Sequence, residues 1–452
     1  MELDTNEWAK QQWGSSELGD SRLTARSIEI GQRMAEHPGK SLQGQMDGWA
    51  GTVAASRLLS NENVKAEELW RPHLEATRAE AELEAGVVLF VQDWTTLDYT
   101  AHPATTGIGP VGSREQRGML LHSTLAVVPK GKRVLGVAHI QVFIRPEEKR
   151  KPERGRSSGP EGQAWEAGVK AVGRAPKGAR WLHVSDRESD VYGYMAACVE
   201  YGKGFVVRAY RNRKVRAGVR QNEVARLMDL AHTLLPKSGP RHAYSVKTQA
   251  TKHEPTRQAD IVLSWCRIVV PPPEGEHGES LDVWVVRAWE TDPPPGATRV
   301  EWILLTSERI ETATAAALVV EWYTCRWLIE DYHMCLKTGC RVEHSQLDDG
   351  ADLQRLLGFA VPIAVRLLQL RQDVRTAPEV TAKSVVDPLF VQLLAARLKL
   401  PKNMSLAQFW KGVAQLGGHL GRTSDGAPGW RTLWQGWIKL SEYAVGVRLL
   451  QV

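Results

Sequence analysis

Gly86-Val87-Val88-Leu89-Phe90-Val91-Gln92-Asp93 is five consecutive apolar side chains after a glycine, closed by an amide and a carboxylate. A short apolar run of this kind is what a buried strand uses. A second run, Trp181-Leu182-His183-Val184, is also followed by a serine and an aspartate, Ser185 and Asp186. Between the two, Leu120–Val128 and Val134–Ile144 flank the turn-rich Pro129-Lys130-Gly131-Lys132, which predicts a hairpin. A helical stretch near Gln163–Val172 precedes the second run. A helix from Ser189 to Tyr201 and a strand at Gly204–Arg208 follow it. Three strands and then alternating helix and strand describe a mixed α/β layout.

Further out, residues 1–70 carry helical apolar spacing through Ser27–Ala35 and Val53–Leu59, punctuated by Gly39 and Asn61-Glu62-Asn63. From about Arg211 to Thr298 the composition turns β-rich, with strands expected at Ile261–Val270 and Leu281–Trp289 and proline triplets at 271–273 and 293–295. This segment reads as an insertion, because Glu301–Thr306 resumes a core-like strand. One long helix is expected from about Glu311 to Gly339, and helices from Asp352 onward. Lys151–Gln163 and Arg422–Pro428 read as mobile loops from their Gly, Pro, Ser and charge content.

The chain has 452 residues, with 58 Lys+Arg against 52 Asp+Glu, a net charge of +6 and a pI near 9.0. At 42% hydrophobic and 24% charged residues it is neither disordered nor fibrous. The charge is unevenly spread. Residues 1–70 hold 7 basic and 11 acidic side chains, Lys130–Arg156 hold 9 and 3, and Lys203–Arg220 hold 7 and none. The excess positive charge therefore sits in the middle of the chain, where it suits an anionic partner. The start, Met1-Glu2-Leu3-Asp4, is acidic and lacks the apolar run of a secretory signal. Five cysteines without a C-x-x-C pair read as reduced thiols. Runs such as Ala315–Val320 are too short to span a bilayer. A soluble cytoplasmic protein without membrane contact is the expectation.

Asp93 and Asp186 sit just beyond their apolar runs, where side chains emerge from a sheet into a crevice; alternatively each caps a turn or a helix. The predicted long helix adds to them. Tyr323, Arg326, Glu330 and Lys337 are spaced by three, four and seven residues, which puts a phenol, two cations and a carboxylate on one helical face. Simple i,i+4 pairing explains Arg326 with Glu330 but not the rest. Phosphodiester chemistry needs this mixture. Hard carboxylates hold divalent metals that clamp the attacking and leaving oxygens, and neighbouring cations grip phosphates.

The spacing Y-(2)-R-(3)-E-(6)-K resembles the signature of the IS-four group of bacterial DDE transposases, and within it the transposon-five type. Further matching segments are Leu18-Gly19-Asp20, Thr24-Ala25-Arg26, Val91-Gln92-Asp93-Trp94-Thr95-Thr96, Ser185-Asp186-Arg187-Glu188, Phe205–Arg208, Trp302–Ser307 and Ala364–Leu370. The resemblance runs nearly end to end. It implies a ribonuclease-H-like catalytic core at 71–370 with a β-rich insertion at about 211–298, a helical DNA-binding domain at 1–70 and a helical dimerisation domain at 371–452. It implies Asp93, Asp186 and Glu330 as a catalytic triad holding two Mg²⁺, with Mn²⁺ able to substitute. Tyr323, Arg326 and Lys337 fall on phosphate-gripping positions, and Trp302 on the position that stacks a flipped base. Arg57 and Arg208 fall on further DNA contacts. The implied partners are transposon-end and target DNA duplexes and a second copy of the chain. Trp430, Leu433, Trp434 and Trp437 would line either that subunit interface or an intrachain core. Met334 and Ser56 depart from the family pattern, at a lysine and an aromatic position respectively.

Other readings stand beside this one. A non-catalytic DNA-binding relative and a nuclease without strand transfer use the same residues. His333, Cys335 and Cys340 fit no standard zinc spacing. Gly155-Arg156-Ser157-Ser158-Gly159 matches a nucleophile elbow formally but follows no apolar strand. Lys40-Ser41 lacks the upstream glycine of a phosphate-binding loop.

Overall fold

The apolar run at Val87–Val91 opens a longer strand, β1 (Val87–Asp98), so Asp93 lies mid-strand and not at its end. The computed structural model describes residues 5–46, 48–112, 115–147, 160–218, 223–237, 244–247, 257–275, 277–376, 378–422, 428 and 430–449. Much of the expected loop at Lys151–Gln163, including the Gly155–Gly159 motif, and residues 423–427 of the other loop lie outside them. The remaining strands are β2 (Gly109–Pro110), β3 (Arg117–Val128), β4 (Arg133–Phe143), β5 (Arg180–Ser185), β6 (Gly204–Arg208), β7 (Lys214–Ala217), β8 (Glu223–Arg226), β9 (Tyr244–Lys247), β10 (Gln258–Val270), β11 (Leu281–Glu290) and β12 (Glu301–Thr306).

All of these form one mixed sheet in the order β2-β3-β1-β5-β6-β12-β11-β10-β7-β8, with β4 also on β3 and β9 also on β10. β3 runs antiparallel to β1 and joins β4 through a tight turn in which Gly131 has φ 74°, a conformation that favours glycine. β5 is parallel to β1, and β6 is parallel to β5. The segment from β7 to β11 lengthens the sheet, and β12 returns antiparallel between β11 and β6. The segment read as an insertion thus shares the sheet of the central strands.

Pleating sends alternate residues to opposite faces. Leu89, Val91, Leu182, Val184, Val206 and Leu304 enter one buried cluster, and Val207, Ile303 and Leu305 enter another. The first cluster is continuous with the helices at both ends of the chain, from Trp13 and Leu59 to Trp437. The expected limits at 70 and 370 fall inside the unbroken helices Ala66–Leu83 and Gly350–Thr376, because one core joins these regions. Trp13 donates its indole N–H to Gly358 O at 3.2 Å, and Arg355 donates to Val64 O and Leu59 O at 2.7 and 3.0 Å.

Two expectations change. The single helix over 311–339 is two helices, Ala313–Thr324 and Trp327–Met334, followed by a π-helical turn at Cys335–Gly339. Leu433, Trp434 and Trp437 are buried within the chain, and Trp437 stacks between Phe390 and Trp410 at 5.2 and 5.3 Å. The intrachain alternative therefore holds for these three, while the side chain of Trp430 lies outside the described residues. Finally, the helical stretch Gly350–Gln372 is long and apolar enough to cross a membrane, but most of it is buried inside the protein as a core helix.

Candidate active site

The parallel register runs as far as Val91 beside Val184, with Asp93 two residues further along β1 and Asp186 just past the end of β5. The charge of Asp186 acts on the Asp93 carboxyl, so the two acids are close neighbours. Asp93 accepts from its neighbour Trp94 N at 2.8 Å, and Asp186 caps a short 3₁₀ turn by accepting from Glu188 N at 3.0 Å. The capping reading of Asp186 is thus correct in itself, and the cap fixes the carboxylate's position.

Helix Trp327–Met334 lays Glu330 over this pair, and Arg326 joins them. Its guanidinium donates to Glu330 Oε1 at 2.6 Å and to Asp93 Oδ2 at 3.3 Å. Arg326 is 9% exposed, whereas the Glu330 side chain is 46% exposed. Burial, with the charge of Asp186 and a smaller push from Glu330, raises the Asp93 carboxyl to about 7 against the pull of Arg326. Glu188 is also raised, by burial and by Asp186. No three Asp, Glu, His or Cys side chains among the described residues form a ready-made metal cage, this acid trio and the His333–Cys340 group included.

The other residues divide. Tyr323 is buried and takes a hydrogen bond from Arg208, which also donates to Glu301 O at 3.2 Å. Trp302 is 8% exposed, with Tyr323 and the half-buried Trp327 at ring distances of 5.6 and 5.9 Å, so little of its ring is open. Arg326 lies over the Trp327 ring at 5.2 Å. Tyr323, Arg326, Glu330, Trp302 and Arg208 therefore form one group with the two aspartates. Lys337 instead pairs with Glu343 at 3.2 Å, because the π-helical turn that carries it breaks the regular helical stripe. Arg57 is exposed on helix Gly48–Leu59.

Two family models match the chain. One, described as transposase DNA-binding, matches residues 5–64, and the other, described as the transposase Tn5 dimerisation domain, matches residues 362–451. Together the two matches, one at each end of the chain, support a Tn5-like transposase of the IS-four family. Arg57 falls within the DNA-binding match, and Trp434 and Trp437 fall within the dimerisation match. The two matches support DNA and a second copy of the chain as partners.

Sequence reasoning passed over several residues of this site. Trp327 packs beside Trp302 and Tyr323, and Glu188 closes the Ser185–Glu188 segment, yet neither carries a local signal of its place. Lys203, His183 and Gln92 form a chain on the opposite sheet face behind Asp93. The Lys203 ammonium lies 2.8 Å from Val169 O and 3.3 Å from His183 Nε2, and His183 Nδ1 lies 2.7 Å from the Gln92 amide. Burial brings Lys203 down to about 7. Only strand pairing assembles this set, so no local pattern announces it.

Proposed function

We propose that the protein is a cut-and-paste DNA transposase whose active site is Asp93, Asp186 and Glu330. The observation that carries this reading is that Asp93 on β1 lies close to Asp186 just past the end of β5 and is tied to Glu330 through Arg326. The order β4-β3-β1-β5-β6, antiparallel first and parallel after β1, supports a ribonuclease-H-like core.

The donor chemistry suits Mg²⁺, two per site with Mn²⁺ as a substitute. All three ligands are hard oxygens, and the burial and neighbouring charge of Asp186 that raise Asp93 are what a bound cation offsets. Asp93, Asp186 and Glu330 would hold the metals, which would supply activation of the attacking oxygen and neutralisation of charge on the scissile phosphate. For Glu330 to join them its carboxylate must leave Arg326, which its exposure allows. Arg326 is then free to grip phosphate by its fork, with Tyr323 as a hydrogen-bond donor, and Lys337 can add a second cation only by leaving Glu343. Trp302 stacks the flipped base, which offsets part of the cost of unstacking it. Arg208 and Arg57 hold the flanking DNA. Water would first hydrolyse the phosphodiester at the transposon end and leave a 3′-hydroxyl. That hydroxyl would attack the opposite strand, forming a hairpin and releasing the flanking DNA, and a second water would open the hairpin. The freed 3′-hydroxyls would attack target phosphodiesters, each forming one bond as it displaces a target 3′-hydroxyl.

Incubating the chain with Mg²⁺ and DNA that carries the transposon ends tests this reading. Asp186→Ala and Glu330→Ala should bind the DNA and leave it uncut. Cleavage at the wild-type rate by either variant would remove the assignment.

A further inference from the structure

Tyr210 leaves 68% of its surface open although it lies only two residues beyond the end of the buried strand β6. Its backbone is firmly held. Asp190 is wholly buried and accepts from the N–H groups of Tyr210 and Arg211 at 2.8 and 2.7 Å, and it also pairs with Arg213. Burying a carboxylate is costly unless hydrogen bonds and a cation compensate it. Here all three go to the segment that presents Tyr210.

The location adds to this. Arg208 is in register with Leu304, and Ala209 N–H donates to Ile303 O at 2.8 Å, so Tyr210 lies one residue past the last β6–β12 backbone contact, at the end of the ladder toward Trp302. Two residues back, Arg208 is bonded to Tyr323 of the active-site group. In the segment that follows Tyr210, Arg211, Lys214 and Arg216 are exposed. An open aromatic ring on a fixed backbone among cations is what an unpaired nucleotide needs, since every base has a stackable face and each phosphate a charge to neutralise.

We infer that Tyr210, held by Asp190 at the end of the ladder toward Trp302, is a second stacking platform that takes an unpaired nucleobase at the DNA end. The inference rests on the transposase reading but concerns a residue that the reading does not use. Trp302 is buried and Tyr210 is open, so Tyr210 serves a base approaching from solvent.

The full-length protein is titrated, without divalent metal, with a blunt duplex and with the same duplex bearing a short unpaired 5′ tail that contains 2-aminopurine. Wild type binds the tailed duplex more tightly and quenches the 2-aminopurine emission. Tyr210→Ala binds the blunt duplex like wild type, loses about fivefold or more of the preference for the tail, and leaves the emission unquenched. Tyr210→Phe and Tyr210→Trp retain both effects. Unchanged preference and quenching in Tyr210→Ala would overturn the inference. So would a Tyr210→Phe variant as impaired as alanine, which would make the hydroxyl the contact. If wild type binds neither duplex, the transposase reading fails and takes this inference with it.

Discussion

Asp93 sets the pH response of the site. Its folded value is about 7 against an ordinary value of 3.8, so the folded state holds the proton over that window. Folding stability is therefore greatest below the lower value and falls as pH rises toward 7, the reverse of an ordinary paired aspartate. In metal-free buffer at pH 8, Asp93→Asn should raise the melting temperature by several degrees, and the gain should shrink toward pH 5. A scanning-calorimetry series across that range checks the sign. Metal binding needs the ionised form, so wild-type cleavage should fall as pH drops through about 7. Arg326 is the cation that opposes the rise. Its replacement by methionine should move the acid limb of metal binding upward by about one pH unit. Titrating Mn²⁺ against pH without DNA reads this shift apart from any effect on DNA binding.

At the level of elements, the strands were legible because each is a local apolar run bounded by turn residues. Gly204–Arg208 and Glu301–Thr306 coincide with β6 and β12, whereas β1 extends well beyond its apolar core. The break between the two helices was not legible. Cys325 and Arg326 keep right-handed helical angles, at φ −68° and −54°, and no glycine or proline marks the change. The π turn likewise leaves no side-chain signal, and so Lys337 was read onto a stripe that it leaves. The two aspartates were visible as residues, but their adjacency depends on strand register, a non-local property. Helix packing has a clearer local marker. A Cβ at Gly436 would lie 1.7 Å from Val413 O, and one at Gly417 would lie 1.8 Å from Thr432 O, so helices Leu406–Leu416 and Trp430–Leu449 meet through these two glycines. Gly436→Ala should cost about 1–3 kcal/mol in denaturant unfolding. Because this packing lies within the dimerisation match, the loss should be accompanied by weaker self-association in sedimentation.

Across the whole molecule, the N-terminal helices are acidic and yet belong to the DNA-binding match. Packed on the core, they stand in the field of the sheet's cations, and the packing hinges on Arg355, 7% exposed and bonded to two backbone carbonyls and to Asp352. Arg355→Ala leaves those carbonyls and a carboxylate without their partner, at a cost of about 2–4 kcal/mol. It should open the segment after Leu59 to limited proteolysis before the rest of the chain. The same charge map governs salt dependence. If a few placed side chains of an acidic region supply base contacts while the central cations neutralise phosphate, the slope of log affinity against log salt belongs to the centre. Lys214 and Arg216 are exposed on β7, and Arg216 also donates to Ser280 Oγ at 2.8 Å. Replacing both with glutamine should lower that slope by about 1.8, roughly 0.9 for each phosphate left without its cation, and weaken binding to unrelated duplexes to a similar extent. An unchanged slope in fluorescence titrations at several salt concentrations would move the electrostatic footprint away from β7. The 9 cations and 3 acids of Lys130–Arg156 would then be its next location.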